Sequence, residues 1–313
     1  SDFIANQQSI TTDATCYESE VRYPTNQKLL WESVDWSYKQ MKIICKELKL
    51  KLPRTKYLKW KKRYINFSKM RRKTNKKRRP LTRSLLYLLK KINKELDSLE
   101  KQYSFKMPSN YYKRRATIKK VRNQQSLLFI KGEKPKNRIV SIGKEYLRPI
   151  VRGKEIKAVE FGAKVNKLQI DGINFIQRVS FDNFNEGTQF KNTIYKAQGL
   201  TKTKVKIVGA DAIYATNKNR VFATSKKIQT DFKPKGKPSK YRKQQLQLAK
   251  IITKERATRL EGSFGKEKEH YHLKKIKAKT KKTEILWIFF GIHTANCLEI
   301  GRRMEKQILV KTA

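Results

Sequence analysis

The chain has 313 residues, with 76 Lys and Arg against 26 Asp and Glu, a formal net charge of +50, and 38% hydrophobic residues. That apolar share supports one large or two modest domains and excludes a disordered basic tail. So large a positive surplus calls for a polyanion, and a phosphate backbone is the obvious counter-charge.

The cysteines, Cys16, Cys45 and Cys297, are odd in number and widely spaced, without a C-x-x-C pair, and there are only three His. This argues against a disulfide framework and a structural zinc site, and for a reducing compartment. The most apolar run, Ile285 to Ile292, is too short to span a bilayer. The N-terminus has neither the basic nor the apolar region of a signal peptide, so a cytoplasmic protein without a membrane partner is expected.

In chain order, Gln8 to Tyr17 is rich in Thr, Ile and Tyr and reads as a strand carrying Asp13. From Pro24, Leu29, Leu30, Val34, Tyr38, Met41, Ile44, Cys45 and Leu48 recur three or four apart until Pro53, the mark of an amphipathic helix. A basic helix follows from about Lys56 to Met70, in which Trp60, Tyr64 and Phe67 fall at core spacing. Arg71 to Arg79, nearly pure positive charge and closed by Pro80, reads as a loop unless phosphates order it.

Leu85, Leu88, Leu89, Ile92, Leu96 and Leu99 then mark another helix, and Tyr111 to about Gln125 a further basic one. Beyond Pro135 the pattern turns to strands: Arg138 to Ile142, Ala158 to Ile170, a turn at Asp171-Gly172, and Ile173 to Phe181 as the second arm of a hairpin. Gly187 to Ala197 reads as a helix, Lys204 to Ala210 as a buried strand ending at Asp211, Tyr241 to about Lys268 as one long helix carrying Glu261, and Lys282 to Lys306 as the last helix. The expected organisation is a first strand within 1–25, a basic helical block over 26–132, and the rest of an α/β core over 133–313.

Few acids stand in this basic field, and three have distinctive settings: Asp13 in Thr-Asp-Ala-Thr, Asp211 in Gly-Ala-Asp-Ala-Ile-Tyr, and Glu261 in Arg-Leu-Glu-Gly-Ser-Phe-Gly. Each taken alone has a plain reading as a turn former, a strand-end residue or a helical ion-pair partner of Arg256. Together they supply the two Asp and one Glu that two divalent ions need to cleave a phosphodiester. Asp171 and Asp182 compete for the first place, but turn chemistry accounts for Asp171 and N-terminal capping for Asp182. His270 and His272 lie close enough in sequence to Glu261 to approach the same site, whereas His293, on an apolar helix, fits a core role. The basic runs Lys59 to Arg63, Lys113 to Arg122 and Arg71 to Arg79 (Arg71, Arg72, Lys76, Lys77, Arg78 and Arg79 among them) are candidate phosphate contacts, which position without specifying bases.

Asp13-Ala14-Thr15 with Tyr17-Glu18 and Tyr23-Pro24-Thr25-x-x-Lys28-Leu29-Leu30 resembles the first-acid region of bacterial insertion-sequence transposases of the DDE class. Glu160-Phe161-Gly162-Ala163-Lys164-Val165 is similar to their second-strand motif, Val208 to Tyr214 to their second-acid motif, and Arg259 to Gly265 to their third-acid helix, with Lys268 at the Glu-x6-Lys spacing. The related signature places Tyr seven and Arg four residues before the Glu; here those positions are Lys254 and Ala257, with Arg256 and Arg259 nearby. Asn26 stands where an Asp commonly follows the Pro-Thr pair.

The resemblance implies an RNase H-like mixed sheet flanked by helices, with a large basic all-helical insertion after the first strand. It further implies Mg²⁺, with Mn²⁺ able to substitute, held by Asp13, Asp211 and Glu261. Lys268, Arg259, Arg256 and Arg220 would contact DNA phosphates near the scissile bond. The partners implied are double-stranded DNA, as transposon ends and target, and further copies of the chain in a homo-oligomer on DNA, within the bacterial nucleoid. The DNA-binding region that usually precedes the first acid is expected to be missing from this chain. The competing expectation is a catalytically silent or domesticated relative that only binds nucleic acid.

Overall fold

The computed structural model describes residues 8–151, 158–236 and 240–312. The chain divides into two compact units, one of Ser1–Glu20 with Pro149–Ala313 and one of Val21–Arg148.

The first unit is built on a mixed sheet. Its strands are β1 (Ser9–Ser19), β2 (Pro149–Val151), β3 (Val159–Ile170), β4 (Ile173–Ser180), β5 (Ile207–Ala210), β6 (Gln229–Thr230) and β7 (Lys275–Ile276). The order along the sheet is β2-β3-β1-β5-β6, with β4 also on β3 and β7 also on β1. β1 is antiparallel to β3 and parallel to β5, β3 is antiparallel to β4, and β6 is parallel to β5. The two-residue hairpin turn is formed as expected: Asp171 and Gly172 both lie in the left-handed region, at φ 48° and 76°, the pair of positive φ values that a type I′ turn requires.

Alternation along β1 divides the unit. Ile10 joins Leu168, Val208 and Ala210 from the neighbouring strands in an apolar core with Phe190 and Ile194 of α5 (Phe190–Thr201) and with Phe222 of α6 (Asn217–Ser225). The odd-numbered residues of β1 turn to the opposite face. That face is covered by one helical run made of α7 (Arg242–Glu255), a π-helical turn (Arg256–Glu261) and α8 (Gly262–His270), and by α9 (Lys281–Thr312). Where the sequence reads as a single helix from Tyr241, the structure inserts this wider turn.

Two of the strand motifs contain glycines that the packing demands. A Cβ on Gly162 would stand 2.0 Å from the Tyr17 carbonyl, and one on Gly209 would stand 2.9 Å from Ile252 and 3.1 Å from Thr11. Only glycine lets β3 meet β1, and α7 meet β5, this closely.

The second unit is helical: α1 (Asn26–Glu47), α2 (Tyr57–Lys69), α3 (Asn75–Gln102) and α4 (Ser109–Lys131). Its core gathers Leu30, Val34, Met41 and Ile44 of α1, the leucine stripe of α3, Phe67 of α2 and Ile118 of α4. Trp60 and Tyr64 pack against it, Tyr64 stacked on Trp31 at 5.0 Å, which is the structural role their spacing suggests.

Two expectations are corrected by the fold. Asn75 to Arg79 are not loop but the opening of α3, and Pro80 lies inside the helix instead of closing a segment. A proline this near the N-terminus removes one backbone bond, and the long buried leucine stripe outweighs it. Arg138 to Ile142 form no strand. Ile139 is buried against Leu29 and Val121, and its N–H is satisfied by the Gln124 side chain.

Candidate active site

The strand register brings the two aspartates side by side. Thr11 pairs with Gly209 across the parallel β1/β5 ladder, and two residues further along each chain, on the same face, come Asp13 and Asp211. Asp211 follows the last residue of β5 and caps the short turn Ala212–Tyr214, its Oδ1 accepting from Ala212 N–H at 2.6 Å. Asp13 Oδ1 accepts from Ala14 N–H at 2.7 Å.

Glu261, the last residue of the π turn, and Lys268, two turns along α8, complete the side of a cleft of about 700 Å³. Lys164, Asn183, Phe184, Glu186 and Ile213 also line it. All three sequence-predicted acids, and Lys268, therefore face one cavity.

The cleft is electrostatically loaded. Burial pushes the Asp13 carboxyl up to about 6, its bond to Ala14 and the Arg256 charge working against this, and Asp211 and Glu261 adding to it. Arg256 stands among these acids: its Nη1 is 2.9 Å from Glu261 Oε1 and 3.8 Å from Asp13 Oδ2, and its Nε is 3.6 Å from Asp231 Oδ2.

That arrangement depends on the π turn. Residues five apart on an α-helix point about 140° away from each other, whereas a π turn, with i→i+5 bonding, brings them to one face. The Gly262 N–H bonds the Ala257 carbonyl, five residues back. The π turn thus sets Arg256, five residues before Glu261, on the same face as that acid.

Beneath the cleft lies a buried polar cluster that sequence reasoning missed. Lys167, opposite Asp13 in the β1/β3 ladder, is 0% exposed, with its Nζ 2.7 Å from both Glu267 oxygens. Glu267 also accepts from Tyr17 and, at 3.1 Å, from Asn174. Lys167 further lies 4.2 Å over the Phe264 ring. Burial pushes the Lys167 ammonium down against the pull of Glu267.

Because Tyr17 is on β1, Lys167 on β3, Asn174 on β4 and Glu267 on α8, the cluster ties the helix that bears Lys268 and follows Glu261 to the strand bearing Asp13 and its neighbours. No local signal marked Lys167, because the burial of both faces of β3 depends on partners far along the chain. On the opposite wall Lys164 holds Glu186 at 2.8 Å, Asn183 Oδ1 at 3.1 Å and the Phe184 carbonyl at 2.7 Å.

Other candidates fall elsewhere. Arg259 pairs with Glu255 at 2.9 Å and lines a separate cavity with Arg302 and Arg303. Arg220 donates to the Ala215 and Lys233 carbonyls and so braces a loop. Asp171 pairs with Arg303 at 2.9 Å, and Asp182 does not line the acid cleft. His270 and His272 border an apolar cavity with Trp287 and Phe290 instead of the acid cleft. His293 packs at a tilt against Phe289, ring centroids 4.2 Å apart. Arg71, Arg72, Lys76, Lys77, Arg78 and Arg79 are exposed on the helical unit. Asn26 accepts from Arg138 at 3.0 Å.

Among the described residues no helix is long and apolar enough to cross a membrane. The donor chemistry suits a hard divalent cation, three carboxylates around one cleft. Their present spacing does not, since among the described residues no three acid, His or Cys side chains stand close enough to hold one.

No curated protein and no solved structure matches the chain. The family model of the transposase DDE domain matches residues 208–293, a stretch that takes in Asp211, Asp231, Arg256, Glu261, Glu267 and Lys268, and this similarity supports a transposase of the DDE class.

Proposed function

We propose that the protein cleaves DNA at transposon ends and transfers the freed strand into target DNA, with Asp13, Asp211 and Glu261 as its catalytic acids. The observation that carries this reading is the meeting of these three acids and Lys268 around one cleft, from β1, the end of β5 and the α7–α8 run. The strand order β4-β3-β1-β5-β6, with its first three strands antiparallel and its last two parallel to β1, supports an RNase H-like core. On that reading the helical unit between β1 and β2 is an insertion.

Mg²⁺, or Mn²⁺ in its place, held by Asp13, Asp211 and Glu261, would supply water activation and charge neutralisation at the scissile phosphate. Asp13 and Asp211, each held by a backbone N–H bond just beyond the β1/β5 ladder, present their oxygens from neighbouring chains in the middle of the sheet. Lys268 offers an ammonium to a non-reacting phosphate oxygen on the same strand. The Lys164 cluster fixes the wall opposite, so the nucleic acid enters a cleft of set width. The basic helical unit supplies phosphate contacts that carry no sequence information, and a homo-oligomer would bring two transposon ends together.

The test is nicking of supercoiled plasmid and short duplexes in Mg²⁺ or Mn²⁺ beside Asp211→Asn, with duplex binding measured for both. Metal-dependent cleavage that Asp211→Asn abolishes, with salt-sensitive binding retained, is the expected result. Tight binding by the wild type with no cleavage at any metal concentration would favour the binding-only relative.

A further inference from the structure

We propose that Asp231 is a fourth acid of this site, a positioning residue that draws Arg256 away from Asp13 and Glu261 when the cleft is loaded. The inference rests on the reading of Asp13, Asp211 and Glu261 as a metal-binding set.

The mismatch between donor chemistry and donor spacing has a visible cause. The Arg256 guanidinium stands between Asp13 and Glu261, 3.8 Å from one and 2.9 Å from the other, where it supplies the positive charge that two crowded carboxylates need. Paired with Glu261 and beside Asp13, this guanidinium already neutralises part of the charge that the acids offer a cation, so Arg256 competes with loading.

Asp231 is built to receive it. Its carboxyl is 3% exposed, sits immediately after β6, and is anchored by the Ala210 N–H to its Oδ1 at 3.0 Å, next to Asp211. Its other oxygen faces Arg256 Nε at 3.6 Å, too long for a hydrogen bond. That Nε is buried and has no hydrogen-bond partner. A donor left unmet beside a buried acid is the arrangement expected of a contact that is completed in another state.

Rotation of the guanidinium toward Asp231 closes this bond and frees the oxygens of Asp13 and Glu261. Arg256 then has a neutralised resting place that leaves the cleft to a cation. The π turn makes the exchange feasible, because it puts residue 256 on the same face as residue 261.

The test is calorimetric titration of Mn²⁺ into the DNA-free full chain at neutral pH, for wild type, Arg256→Gln, Asp231→Asn and the double variant. Arg256→Gln removes the competing cation and is expected to tighten Mn²⁺ binding about tenfold. Asp231→Asn keeps an acceptor for the Ala210 N–H but loses the charge that attracts Arg256, so Mn²⁺ binding is expected to weaken. In the double variant the Asp231 change should have no effect, since Asp231 acts only through Arg256. A purely structural Asp231 would lower the melting temperature and shift Mn²⁺ affinity alike in both backgrounds, which overturns the proposal. Equal Mn²⁺ affinity in wild type and Arg256→Gln overturns it too while leaving the metal site intact. Absence of Mn²⁺ binding in all four chains removes the metal reading and this inference together.

Discussion

The two units carry charge in opposite ways. The helical unit, Val21–Arg148, holds 39 Lys and Arg against 8 Asp and Glu, a net +31 of the chain's +50. Its acids serve its own scaffold: Asp35 takes Lys39 and Tyr57, Asp97 and Glu100 take Arg115, and Glu145 takes Lys113 and Thr117. In the sheet unit, acids gather into a cleft and a buried cluster, where Glu267 alone takes Lys167, Tyr17 and Asn174. A charge on the first unit is one of many on a wet surface; the Lys167–Glu267 pair of the second is fully buried, in a low-dielectric setting where one change is felt.

The contrast is broken most sharply at Glu267. Glu267→Gln leaves the buried Lys167 ammonium without an anion, and a loss of about 3–5 kcal/mol in unfolding free energy is expected by urea denaturation. Replacing both partners by Lys167→Met with Glu267→Leu should restore only part of it, since Tyr17 and Asn174 then lack their acceptor. Glu145→Gln, the matching change in the helical unit, removes a pair whose Lys113 is 69% exposed and should cost less than about 1 kcal/mol. Equal losses at the two glutamates would show that the units do not differ.

The next effect is at Asp13 and has the opposite sign. Its carboxyl is raised from 3.8 to about 6, so the folded chain holds this proton more tightly than the unfolded one. Stability from this group is present below about pH 4, is lost as pH rises toward 6, and stays lost above. The shift corresponds to about 3 kcal/mol, and the side chain's 19% exposure reduces this to about 2 kcal/mol. Asp13→Asn should therefore be more stable than wild type at neutral pH by about that amount in thermal melts without metal, and equal to it near pH 3. A variant less stable than wild type at neutral pH would mean that Arg256 stabilises the ionised carboxylate more than burial opposes it.

Much of this was legible in sequence, because periodicity reports burial. The leucine stripe of α3 and the Asp171-Gly172 hairpin follow from spacing and turn chemistry alone, and the strand through Asp13 from its Thr, Ile and Tyr content. The three acids were visible as scarce residues in distinctive settings. What the sequence hid depends on partners far along the chain. Lys167 looked like one Lys among many until β1/β3 pairing set it opposite Asp13 and α8 brought Glu267. Arg256 looked misplaced because a π turn cannot be read from apolar spacing. Arg71 to Arg79 misled in the other direction, since a charge run and a proline are strong local signals, whereas the reason this helix forms lies downstream in Leu81 to Leu99.

The smallest expected effect on folding falls on that same basic run, and it is the one that separates the units by function. Arg71, Arg72, Lys76, Lys77, Arg78 and Arg79 are exposed, so exchanging each for Gln should move stability by no more than about 0.5 kcal/mol. If the run meets phosphates, removing each charge–phosphate interaction flattens the dependence of log affinity on log salt by about 0.9, measurable by filter binding to a duplex across salt concentrations. Lys268→Gln, a single charge at the cleft, should leave that slope nearly unchanged while slowing metal-dependent cleavage. An unchanged slope in the sixfold variant would place the phosphate-binding charges on other basic segments. A Lys268→Gln chain that loses binding and cleavage in proportion would assign Lys268 to general anchoring instead of the scissile phosphate, and with it the sheet unit's claim to the chemistry would rest on the acids alone.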